Sequence, residues 1–299
     1  MGESMSHRMT EYDRTQLAAI HSWTSPELGW FGQVMKVVNW PLDKAGQLVF
    51  DVPEIGPLLE KAFAGVVGLL NDGASWSVRP KAIFADFHKH GYEAVHSLDD
   101  IHSLRLRDVD ATIGFLAAKY KTTALAEGAA TGLLGLPGIP ADVVAILSLN
   151  LRAIGEYATY CGFDISLQQE RLFAMNVLGL ASSPSDAAKQ AAMAQLAKIA
   201  KAVAQKKTWK TLEEHAFVSI IRKVAEALGV RLTKAKLAQV VPVAGAVVGG
   251  GFNAYYTSRV CDAAYFLYRE RFLAEKYGED VIKDAGKPAE GFEPDYSSE

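Results

Sequence analysis

The sequence is short of cysteine, of net charge and of β-type patterning, and each shortage removes a class of protein. Two cysteines, Cys161 and Cys261, occur in 299 residues, both in apolar, helix-like contexts. A disulfide-stapled scaffold is excluded, and both read as reduced, buried thiols. With 31 Lys and Arg against 34 Asp and Glu, the net charge is −3, which argues against a general nucleic-acid binder. No series of β-branched runs alternates with period two between hairpin turns. Also missing are a phosphate-cradling loop ending in Lys-Ser/Thr, a serine nucleophile elbow and an H-E-x-x-H helix. No charged-then-apolar leader with a small-residue cleavage site is found, so export by the usual route is not expected.

What is present is apolar and helical. Hydrophobic residues make up 49% of the chain, enough for a sizeable core. Two long segments stand out: Gly128–Leu151 (GAATGLLGLPGIPADVVAILSLNL), charged only at Asp142, and Leu237–Ser258 (LAQVVPVAGAVVGGGFNAYYTS), with no charge. Each matches the ~20 residues that cross a hydrocarbon layer. Both are interrupted by proline and glycine, and both lead into helices with regularly spaced charges. They are either the buried centre of a helical protein or the part that meets a membrane.

Elsewhere the punctuation is helical too. Pro57 opens an apolar 3–4 spacing that stops at Gly73, Ser182–Ser185 is a break before an alanine-rich helix, and Thr211 with Glu214 has capping-box spacing. The fold expected is all-α: a single large multi-helix domain with the two Gly/Pro-interrupted segments at its centre, and a possible internal duplication relating them. Residues 1–10 read as a flexible start, 11–278 as the helical domain and 279–299 as a polar, acidic tail.

The two apolar stretches resemble the EcsC family of bacterial proteins, whose name comes from a gene lying beside an ABC-transporter pair. The resemblance rests on EGAATGLLGLPGIPADVVAILSLNLRAIGEYATYCGFD (Glu127–Asp164) and KLAQVVPVAGAVVGGGFNAYYTSRVCDAAYFLYRERFLAEKYG (Lys236–Gly278), with HSWTSPELGWFGQVMKVVNWPLDK and VPEIGPLLEKAF before them. It covers roughly residues 20–278. It implies a predominantly helical cytoplasmic protein associated with membrane transporters, and it carries no catalytic residue across.

Four groups of residues are candidates for function. Gly128, Gly132, Gly135 and Gly138, then Gly245 and Gly249, suit close helix packing in a core, embedding in a membrane or, less well, a small-molecule site. Asp142, Asn150, Arg152, Glu156, Asn253, Arg259 and Asp262 lie within or beside the apolar helices. Buried charge is costly unless paired, so they are expected to form a polar network, either to fix helix register or to line a pocket. His88, His90, His96 and His102, with nearby acids, are weak metal candidates; their spacing fits a cap-and-loop region better, with Ser97–Asp100 as a helix start and His102 paired to Asp99. Ten Lys/Arg face three Glu between Lys198 and Lys236. Within them Lys206, Lys207, Trp209 and Lys210 are membrane-surface candidates. Trp23, Trp30, Phe31 and Trp40 read as core packing or as an interfacial belt.

The expected function is a cytoplasmic protein, peripheral on the inner membrane face and accessory to a transporter or lipid-linked process. Its expected partner is a membrane surface or a membrane protein such as an ABC transporter, with no cofactor and no nucleic acid. A soluble partner-binding scaffold is the alternative; a metal-dependent hydrolase is less favoured.

Overall fold

The computed structural model describes residues 9–24, 57, 61, 64–65, 78–132, 139–181 and 245–279. Among them no strand occurs, and the chain is an all-α domain. In order, the helices are α1 Glu11–Thr24, α2 Pro80–Lys89, α3 Leu98–Ser103, α4 Leu106–Ile113, α5 Leu116–Gly132, α6 Ile139–Tyr160, α7 Gln168–Ala181 and α8 Gly245–Tyr277.

Local chemistry sets several of their ends. Pro80 occupies the first turn of α2, where an amide proton has no intrahelical acceptor. That helix closes at Gly91 (φ +88°), and the amides of Gly91 and Tyr92 donate back to the carbonyls of His88 and Phe87. Ser97 and Asp100 form a reciprocal capping box at the start of α3, as their spacing predicts. α6 ends in the same kind of reversal, with Gly162 at φ +84° and the amides of Gly162 and Phe163 donating to the carbonyls of Thr159 and Ala158.

Packing follows from which faces are apolar. α5 buries Leu116, Tyr120, Ala124 and Gly128 at four-residue intervals, one narrow stripe of a helix. α7 buries nearly everything from Leu172 to Ala181, so it lies inside the molecule. The 33 residues of α8 reach about 50 Å, and this helix is the spine. It packs most extensively on α5, then on α6 and α7, and also meets α1, α3 and α4. Each fully buried large apolar side chain along these seams, such as Phe87, Ile101 or Phe272, contributes about 1.5–3 kcal/mol.

The described parts of the two glycine-rich segments are helical. The described part of the second, from Gly245 on, is continuous helix: α8 begins at Gly245 and passes straight through Gly249–Gly251. Glycine costs about 1 kcal/mol per interior helix site, a cost that the long packing surface of α8 outweighs. The first segment is divided between the end of α5 at Gly132 and the start of α6 at Ile139, with Pro140 in its first turn. Gly135 and Gly138 lie outside the described residues, as do Lys206, Lys207, Trp209 and Lys210, Trp30, Phe31 and Trp40, and the helices expected between 186 and 229. Trp23 is described and stacks on Phe266 of α8, ring centroids 5.1 Å apart. Among the described residues no helix is long and apolar enough to cross a membrane. α8 has the length, but it carries Arg259, Asp262, Arg269, Glu270 and Arg271.

Candidate functional site

The residues singled out in the apolar segments meet where α6 crosses α8, beside the end of α5. Asp142 stands in the first turn of α6, where an acid suits the positive end of the helix dipole. Its Oδ1 accepts from Nδ2 of Asn253, at 3.2 Å, and both side chains are buried. Further along, Nδ2 of Asn150 donates to the Ile146 carbonyl (2.7 Å) and to Thr257 Oγ1 (3.2 Å). These two polar rungs join α6 to α8 through an apolar interior. Asn253 and Thr257 are four residues apart, hence on one face of α8.

Glu127 of α5 completes the upper rung. Burial pushes its carboxyl above the ordinary glutamate range, and the charge of Asp142 pushes it further. The folded protein therefore holds this proton more tightly than the unfolded chain does. Stability is lost as pH rises through the raised folded-state value and regained on acidification. Glu127→Gln is expected to raise the melting temperature at neutral pH by about 1–3 °C, with the gain vanishing below the ordinary glutamate range. A gain that persists in acid would rule this out.

The seven residues do not all join one buried network. Arg152 and Glu156 form a loose i, i+4 pair at 3.7 Å, but the arginine is largely solvated, and Glu156 is held more closely by Lys119 of α5, at 3.0 Å. Asp262 is exposed, facing the charges of Lys121 and Arg259, while Arg259 is buried. Helix phase explains the split. Arg259 points toward the packed side of α8 and Asp262, three residues on, falls at its edge.

The deepest ion pairs lie elsewhere. Arg269 of α8 is wholly buried, and its Nη2 donates to Asp110 Oδ2 of α4 and to Gln16 Oε1 of α1, each at 2.7 Å. Its guanidinium lies 4.2 Å over the Tyr265 ring. Tyr12 of α1 donates to the same Asp110 oxygen at 2.7 Å, and burial and that carboxylate together push its phenol well up. Tyr277, at the last turn of α8, donates to the buried Asp13 at 2.6 Å. Arg271 makes a two-pronged pair with Glu170 of α7, both contacts 2.6 Å, between the rings of Phe163 and Phe173. Neither arginine stands out in the sequence, because the run YRERF looks like an ordinary solvated helix.

The histidine cluster spreads out. His88 Nε2 donates to the Val95 carbonyl, His90 Nδ1 bonds the Asp86 carbonyl, and His96 packs edge-on against His88. His102 does not pair with Asp99: its Nε2 donates to the Gly162 carbonyl at 3.0 Å and its ring stacks on Phe272. Among the described residues no three His, Cys, Asp or Glu side chains converge to hold a metal ion. Both cysteines are buried and free. Burial pushes the Cys261 thiol up to about 12 and Cys161 higher still. Neither is a thiolate at neutral pH, so neither is poised as a nucleophile.

Compared with known proteins, residues 53–273 match the model of the EcsC protein family, nearly the whole span from before α2 into the last third of α8. The chain belongs to the EcsC family. Two relatives come from Bacillus subtilis strain 168. The uncharacterized protein YdbA is 28% identical over 270 residues, 88% of this chain and 94% of its own. Protein EcsC is 26% identical over 184 residues, 60% of this chain and 70% of its own. No solved structure matches the chain. The family-model match includes both polar rungs and the ion-paired Arg269 and Arg271, whereas α1, which precedes it, is tied on through Tyr12, Asp13 and Gln16.

Proposed function

We propose that this EcsC-family chain works at the cytoplasmic face of the membrane, without spanning it, as an accessory to a transporter or a lipid-linked process. The observation that carries this reading is the excess of ten Lys/Arg over three Glu between Lys198 and Lys236, directly ahead of the second apolar segment, with Trp209 among the lysines. Basic side chains near an anionic leaflet contribute about 1 kcal/mol each, and tryptophan favours the headgroup region. The buried rungs of α6 and α8 support a docked rather than inserted protein, since they turn the described part of the apolar segments inward. The gene neighbourhood that gave the family its name supports the transporter.

Co-sedimentation of the full chain with anionic and neutral vesicles tests it. Binding is expected to anionic vesicles and to weaken with salt. The triple change Lys206→Gln, Lys207→Gln and Lys210→Gln is expected to weaken it by roughly tenfold or more. No binding to any vesicle would sink the membrane reading. That outcome would leave the chain as a soluble partner-binding scaffold, a second reading that the inward-facing rungs also favour.

A further inference from the structure

We draw no further inference here: the strongest candidate, the polar layer of Glu127, Asp142 and Asn253 where α5, α6 and α8 meet, belongs to the site already described, and nothing in the structure shows what ligand the buried Oδ1 of Asn253 would take.

Discussion

Replacing Arg269 with methionine is expected to cost about 3–5 kcal/mol of folding stability, read as a lowered denaturant midpoint at unchanged slope. The side chain is wholly buried and joins three helices: Asp110 of α4 and Gln16 of α1 both accept from its Nη2. Removing it leaves the Asp110 carboxylate facing the phenol of Tyr12 with no cation beside it. An uncompensated charge in the interior costs far more than a solvated one, and domain stabilities are only ~5–15 kcal/mol in total. Adding Asp110→Asn to Arg269→Met should therefore recover part of the loss, because the amide carries no charge. Should Arg269→Met not accumulate, Arg269→Lys keeps the charge but loses both the fork and the flat stacking over Tyr265, and is expected to be intermediate. A loss below about 1 kcal/mol for Arg269→Met would mean that the pair does not hold these helices together.

Gly162→Ala is expected to cost about 2–4 kcal/mol, combining an unfavourable backbone with a steric conflict. The residue sits at φ +84°, and a Cβ there would lie 2.7 Å from His102 Nε2 and 2.9 Å from Cε1. The imidazole has little room to yield. It donates to the Gly162 carbonyl, stacks on Phe272 and meets the edge of Phe163. Gly91 isolates the two contributions, for it has φ +88° and a Cβ added there would meet nothing within 4 Å. Gly91→Ala should show the backbone cost alone, about 1–2 kcal/mol. Adding His102→Ala to Gly162→Ala should return part of the difference, as coupled neighbours do. Equal melting temperatures for the two glycine variants would refute the clash with His102.

How much of this is legible in the sequence differs residue by residue. The Ser97–Asp100 capping box is a purely local arrangement, readable from spacing. Asp142, Asn150 and Asn253 can be picked out because a polar side chain in an apolar run needs a partner, and two rungs provide one. Thr257, the other half of a rung, gives no signal, since a threonine in a helix commonly bonds its own backbone. Arg152 and Asp262 look equally buried by context but lie at helix edges, because a shift of two or three residues rotates a side chain out of the packed face. Arg269 and Arg271 are invisible: their partners are 159 and 101 residues away, on helices that only the fold brings near.

By itself the sequence determined the helical class, several helix ends and the EcsC membership. The helical class and the helix ends depend on hydrogen bonds, backbone sterics and apolar spacing within a few turns of chain, and the membership on similarity of sequence over residues 53–273. Only the tertiary structure decided which charges go inside, which stay at helix edges, and which face of α5 is left to the surroundings. Each of those outcomes turns on desolvation and close packing against distant helices, and these forces act only once the helices have met.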